Sequence, residues 1–578
     1  MFLGINNRLK VICLISMCIL NLLYMHNYIV FTCHSTNLLD CISWIDNFCW
    51  ICFDVWMVLT ICLIIGKGRI KAGIFISFCV TLIWAFCNVV YSRFFYHYLS
   101  LSSVLETSAI MDPLVLNSVI YGLRWMDVFF LIMPILFILV YKKTVNKGSA
   151  KGYIRLSFFI GCLLLLFDLF SHAVYCSISP SLRYWNYYER RVSMRIFGDN
   201  HLLALPNYAN FQNGSLKSLA IEVFGELHGS MVLSEKQRNT INAELVKSQN
   251  SLNRDGGVQV DNVIFILVES YMSFVTDMIV DGREITPNLN SLKKDSSVYY
   301  NGCIHSNITM GESSDGQYIL MTGLLPLRSI ITVSKAHKMP LPSLVKSLRS
   351  VGIKQSRMIL PTSSSLWRQD DMCRQYGFTH LFANNDYQGS HDETLTDEQV
   401  FELAMEKDRL MSNERFFSII LTATMHQPYN KIADPSFVIV DKSLSPEMKS
   451  YLNLCHYTDE CIGTYLESLK KSGLYDNSLI VITADHHAHN TDFGKDVSND
   501  IPLFIINGNL KKDAYYGKCN QVDIYTTLVD ILGIKGVWPG LGFSLLNPFY
   551  KNSVTPIKWD VSEQVLLSGY FGDGGVKN

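Results

Sequence analysis

The chain has 578 residues, 49% of them hydrophobic and only 17% charged. That is too apolar for an ordinary soluble protein of this length, so part of it is expected in lipid. The formal net charge of -1 comes with no basic tail or long Lys/Arg run, which excludes nucleic acid as a partner class. Of the 16 Cys, 11 fall within the first 176 residues, mostly inside apolar runs where Cys acts as a small hydrophobe rather than as a disulfide framework. Cys33 and Cys41 are the one pair placed to bridge if their loop is extracytoplasmic.

Five runs are long and apolar enough to span a bilayer as helices: 11–31, 48–65, 72–91, 121–141 and 156–176. The first lacks a small-residue cleavage site and is expected to be a retained anchor. Arg8 and Lys10 precede it; Lys67, Arg69 and Lys71 separate spans two and three; Lys142, Lys143, Lys147 and Lys151 separate spans four and five. Such basic loops stay cytoplasmic, so five crossings put everything after about residue 177 outside the cytoplasm. Asp54, Asp127 and Asp168 lie in or at the edge of the spans, where a carboxylate is either functional or paired inside the bundle. Arg93 and Arg124 fall on the outer side, suited to lipid phosphate or to capping a span.

Residues 177–260 read as a juxtamembrane linker with an amphipathic run over 233–246 that starts at a Ser234 N-cap. From Asp261 the pattern changes to short Ile/Val/Phe-rich runs alternating with helical ones, as in a buried, mainly parallel sheet flanked by helices. The expected strands are 263–269, 416–424, 478–485 and 501–507; 341–350, 397–410 and 446–472 read as helices. The domain plan is therefore 1–176 transmembrane, 177–260 linker, 261–578 catalytic α/β domain.

Ligands gather at the carboxyl ends of the strands in such sheets. Glu269 ends the first strand, followed by Ser270; His426 lies just past the second; Asp485 and His486 end the third. A carboxylate and an adjacent Asp-His pair suit one divalent metal ion, Mn, Zn or Mg. The GESSDGQYILMTG stretch at 311–323 supplies a hydroxyl before a helix. Ser313 on such a metal would become a nucleophile, and the first helix amides could hold phosphate oxygens. Asp315 either caps that helix or faces the site. His487 and His489 extend the Asp-His pair toward a second metal or a substrate phosphate.

The segments NVIFILVESYMSF, GESSDGQYILMTGLLPL, LWRQDDMCRQYGF, MHQPY, TADHH and QVDIYTTLVDILGI, in this order, resemble the lipoteichoic acid synthase branch of the alkaline phosphatase and sulfatase superfamily. The resemblance implies a five-helix transmembrane domain with an extracytoplasmic sulfatase-like domain in the cell membrane. It implies that Glu269, Ser313, Asp485 and His486 bind one metal and that Ser313 is phosphorylated. It places substrate binding on His426 and Trp367. Ser stands where that family has Thr, and Gln369 stands where an Arg is expected, with Arg368 beside it. Sulfatases of the superfamily carry their modified residue nine positions before a Thr-Gly, the spacing from Ser313 to Thr322-Gly323, but the accompanying Pro and Arg are Asp315 and Gln317 here. The implied activity is transfer of a phosphoglycerol or phosphoethanolamine group from a phospholipid donor to a glycan or lipid acceptor. A sulfatase-like or phosphodiesterase hydrolase and a non-catalytic membrane scaffold are the rival readings.

Overall fold

A computed structural model describes residues 7–33, 41–65, 69–95 and 122–144, a few residues near 98, 120, 155–166 and 214–219, then 232–253 and 257–572 with short interruptions around 329, 390–393, 411–413, 489–496 and 511–513. They fall into two compact units, the apolar helices and a second unit that begins at Ser230.

The first unit contains α1 (Asn7–Cys33), α2 (Cys41–Ile65), α3 (Ile70–Phe95) and α4 (Val128–Lys142). Four helices among the described residues, rather than five, are long and apolar enough to cross a membrane; the fifth expected span, 156–176, falls largely outside the described residues, as do Asp168 and the side chains of Cys33 and Cys41. The other two acidic residues are paired. Asp127 receives two bonds from the Arg93 guanidinium, at 2.8 and 2.6 Å, and one from the Arg124 amide at 2.8 Å. Arg93 also bonds the Gly122 carbonyl and the Tyr28 hydroxyl, so it braces helix ends. Buried Asp54 accepts the Leu216 amide at 3.0 Å. Next to it Gly214 (φ +85) lies so close that a Cβ would meet the carboxylate at 2.8 Å. An intramembrane carboxylate that caps freed backbone amides avoids most of the desolvation cost.

The second unit is built on an eight-stranded sheet. In chain order its strands are β1 (Asn262–Val268), β4 (Tyr299–His305), β5 (Gln355–Ile359), β6 (His380–Phe382), β7 (Phe416–Leu421), β8 (Ser478–Ala484), β9 (Asp500–Ile506) and β10 (Cys519–Asn520); β2 (Ile279–Val280) and β3 (Arg283–Glu284) form a separate hairpin. The order across the sheet is β10-β4-β9-β8-β1-β7-β5-β6. β1 is central and parallel to both neighbours, with Phe265 opposite Ile419 on β7 and Val481 on β8. Every residue of β1, β7 and β8 is buried, because helices cover both faces. The expected strand at 501–507 is present as β9, antiparallel to β8.

Helix starts follow the local chemistry. The Pro446–Lys471 helix begins at a Ser445 cap with Pro at its first position. The expected helix at 341–350 starts later, at Leu344, because Ser343 caps it by accepting the Lys346 amide. Ser234 and Gln237 form a capping box for the Glu235–Gln249 helix. That helix packs into the second unit, with Leu233, Ile241 and Leu245 buried in the main core.

Candidate active site

The carboxyl ends of β1 and β8 lie side by side, and they bring Glu269 and the Asp485-His486 pair together. Glu269 Oε1 lies 3.4 Å from His486 Nε2, and Asp485 Oδ2 lies 3.6 Å from the same nitrogen. The three ligand atoms are within 4.8 Å of one another and all three residues are buried. Ser313 opens the helix Ser313–Thr322 and completes the group. Its hydroxyl donates to Glu269 Oε2 at 3.1 Å and lies 3.3 Å from His486 Nε2. Ser314 is turned away, bonding back to the Gly311 carbonyl at 2.5 Å, so Ser313 is the serine in the centre.

The turn before the helix is tight. Glu312 has φ +47, a conformation that costs energy for a non-glycine residue and clusters at functional sites. The Ser314 and Asp315 amides bond back to Gly311 and Glu312 carbonyls, so they are not held ready for phosphate as the sequence suggested. Asp315 points into the loop and not toward Glu269, Asp485 and His486. It accepts the Thr309 amide and hydroxyl, the Gly311 amide and the Thr332 hydroxyl, at 2.7 to 3.0 Å. Burial raises its pKa against these four bonds. At the far end Gly323 (φ +66) closes the helix in the left-handed conformation that favours glycine.

Around Glu269 the backbone is similarly held. Ser270 has φ +52; its amide donates to Asp485 Oδ1 at 2.9 Å and its carbonyl accepts the Tyr451 hydroxyl at 2.9 Å. The Glu269 amide donates to the Thr422 hydroxyl at 3.0 Å. Tyr451, Thr422 and Glu312 were missed by sequence reasoning, since a Tyr inside a helix or a Thr or Glu in a loop carries no signal of its own. Gln521, whose side-chain amide donates to the Asp485 carbonyl at 2.6 Å, was also missed, although it opens the QVDIYTTLVDILGI segment.

The electrostatics define what the centre needs. Burial works against the charge on Glu269, but the His486 imidazolium and then its hydrogen bond hold that carboxyl below its ordinary range. Burial and the neighbouring Glu269 charge push Asp485 up to about 7. Burial opposes a charged His486, yet Asp485 and Glu269 raise its pKa well above 6.5. Two carboxyl groups and one imidazole are thus buried together, a donor set whose charge a divalent cation would balance. His486 Nδ1 meets the His487 carbonyl at 2.8 Å, a bond that places a proton on Nδ1 and turns Nε2 toward the carboxylates, where it could serve a metal. These donors, with the Ser313 hydroxyl, fit an oxygen- and nitrogen-liganded metal such as Mn or Zn.

The remaining expected residues sit at the same edge of the sheet. His426 follows β7, with Nδ1 2.6 Å from the Gln427 carbonyl. Trp367 and Arg368 follow β5 with φ of 51 and 52. Trp367 packs its ring on the core, and Arg368 lies 3.7 Å from Asp371. Gln369 is buried at the start of the next helix. His487 is half-buried beside His486, and His489 lies outside the described residues.

Residues 261–534 match the Sulfatase family. Over 476 residues the chain is 25% identical to lipoteichoic acid synthase 2 of Bacillus subtilis (strain 168), an alignment that covers 78% of this chain and 70% of that protein. It is 23% identical over 512 residues to the lipoteichoic acid synthase of Staphylococcus saprophyticus, covering 83% of this chain and 75% of the other. Among solved structures it superposes on the integral membrane protein lipooligosaccharide phosphoethanolamine transferase A of Neisseria meningitidis with a TM-score of 0.56 at 11% identity, covering 92% of this chain and 98% of that one. The last likeness is one of fold. Sheet order, strand-end carboxylates and helix-borne serine define an enzyme of the alkaline phosphatase and sulfatase superfamily. Residues 261–534 are thus a Sulfatase-family domain, and over most of its length the chain is similar to lipoteichoic acid synthases.

Proposed function

We propose that the protein is a membrane-anchored, metal-dependent transferase that moves a phosphoglycerol or phosphoethanolamine headgroup from a phospholipid to an extracytoplasmic glycan or lipid acceptor. The observation that carries this reading is the Ser313 hydroxyl at 3.1 Å from Glu269 and 3.3 Å from His486, inside a buried three-ligand cluster. Glu269, Asp485, His486 and Ser313 would hold one divalent cation, Mn, Zn or Mg, which when bound lowers the serine pKa and draws charge off phosphate oxygens.

Ser313 Oγ gives up its proton and attacks the donor phosphorus, the bond from phosphorus to the diacylglycerol oxygen breaks, and that oxygen takes up a proton as diacylglycerol leaves. Oγ now carries the headgroup as a phosphodiester. An acceptor hydroxyl then attacks the same phosphorus, its proton is released, and Ser313 leaves and regains its own. His426, Trp367 and Arg368, on loops at the same sheet edge, bind the headgroup. The membrane helices keep the centre near its lipid donor, and the basic loops favour an extracytoplasmic catalytic domain in the cell membrane.

Mass spectrometry of the Ser313 peptide after incubation with defined phospholipids tests the reading: a headgroup phosphate adduct is expected on Ser313. Full donor turnover by Ser313→Ala, with no adduct in the parent, overturns it. Products separate transfer from hydrolysis, since a modified glycan or lipid reports the former and free headgroup phosphate the latter. A metal-free, inactive parent would point instead to a scaffold.

A further inference from the structure

Strand β7 ends at Leu421, and only four residues separate it from His426. Amides freed at a sheet edge have to find partners, and buried ones are costly to leave bare. Here they find Asp397. Its buried carboxylate accepts the Ala423 amide at 3.0 Å and the Thr424 amide at 2.9 Å through Oδ1. In return the Asp397 amide donates to the Thr424 hydroxyl at 3.1 Å. Oδ2 accepts the Thr458 hydroxyl at 2.6 Å from the Pro446–Lys471 helix. The turn closes with the His426 amide on the Ala423 carbonyl at 3.0 Å, while Thr422 holds the Glu269 amide.

Asp397 opens the helix Asp397–Leu410, where a carboxylate commonly caps the helix. That role is already filled: the Thr396 hydroxyl accepts the Gln399 amide at 3.4 Å and the Gln399 side chain accepts the Thr396 amide at 3.0 Å, a capping box. The Asp397 carboxylate is committed to the turn instead. It joins two helices to the one segment that touches Glu269 at its start and carries His426 at its end.

We propose that Asp397 is a positioning residue for donor binding: it fixes the 422–426 turn and thereby the aim of His426 toward the Ser313 centre. The proposal rests on the substrate role given to His426 above, and the measurements keep the two apart. In full-length protein with a defined phospholipid donor, Asp397→Ala is expected to raise the donor KM by about tenfold, the scale of leaving buried amides unpaired, with a smaller effect on kcat. Asp397→Asn, whose amide oxygen can accept the same two N–H groups, restores most of it. In hydrogen exchange, a peptide covering 422–426 becomes faster in Asp397→Ala; Thr458→Val, nearly isosteric, produces a smaller acceleration and serves if the alanine variant fails to fold.

In a His426→Ala background, Asp397→Ala adds nothing further to KM. An undiminished Asp397→Ala effect in that background, or exchange at 422–426 as slow as in the parent for both variants, overturns the proposal. Should His426→Ala alone leave KM at the parent value, the substrate role of His426 falls, and the exchange rates still decide whether Asp397 holds the turn.

Discussion

Gly316 lies against the carbonyl of Asp485, so close that a Cβ on it would come within 2.2 Å of the oxygen. The nucleophile helix and the end of β8 are in contact through backbone at this point. Gly316→Ala is therefore expected to push Ser313 away from His486 while leaving the apolar core intact. A displacement of about an ångström at a reacting atom costs about a hundredfold in rate. Donor turnover should fall on that scale with thermal unfolding close to the parent's; unchanged turnover would mean that the contact relaxes without moving Ser313.

Metal content gives a second prediction. Glu269→Gln and Asp485→Asn each remove a ligand charge from the buried cluster, and both are expected to lose bound metal in elemental analysis of the purified protein. Tyr451→Phe touches no proposed ligand but releases the Ser270 carbonyl that its hydroxyl holds at 2.9 Å. Because the Ser270 amide in turn donates to Asp485, the change reaches a proposed ligand at one remove, and metal binding is expected to weaken by no more than about 10-fold, readable by chelator competition. Full metal retention in both carboxylate variants would remove these residues from the ligand set.

Arg357 and Asp408 form an ion pair at 2.9 Å with both side chains fully buried. The Tyr465 hydroxyl also donates to Asp408, at 2.9 Å. Removing one member of such a pair strands a buried charge. Asp408→Ala should therefore lower stability by about 3–5 kcal/mol, whereas replacing both partners with apolar residues of similar volume should cost far less. Denaturant unfolding of the two variants separates these outcomes.

Asp459 carries the pH prediction. Its carboxylate accepts the Asn288 and Leu289 amides at 2.9 Å and the Asn288 side chain at 3.0 Å. Burial outweighs these bonds and raises its pKa from 3.8 to about 6. The native state keeps this proton to a higher pH than the unfolded chain does. The stability it contributes is full below the unfolded value and is lost as pH rises through the folded one. Asp459→Asn cannot titrate. The melting temperature of the parent minus that of the variant should therefore decrease as pH rises between about 4 and 6; a difference that does not change with pH would show an unshifted carboxyl.

Much of the site was legible because its residues stand where strands must end. The apolar runs before Glu269 and Asp485 announce β1 and β8, and two adjacent parallel strands bring those residues together. The spacing to Thr322-Gly323 pointed to Ser313 only through the likeness to sulfatases; in the structure it is the Ser314 hydroxyl's bond back to the Gly311 carbonyl that leaves Ser313 in the centre. What stayed hidden is backbone geometry and partner choice. Nothing local signals the positive φ of Ser270 or Glu312, since neither is a glycine. Asp315 was left open between cap and site because both uses begin with the same residue type; Thr309 and Thr332, distant or unremarked in sequence, decide it. The antiparallel course of β9 was equally unreadable, because a strand buried on both faces has the same apolar composition in either direction.

Leu233, just ahead of the Glu235–Gln249 helix, and Ile241 and Leu245 on it are buried in the core of the unit that also contains the helix Pro556–Leu567. Protease trimming back to Asp261, where the sheet begins, would thus open the core and expose apolar surface. A water-soluble fragment suited to crystallisation or inhibitor screening has to start ahead of Leu233, and one starting at Asp261 is expected to aggregate.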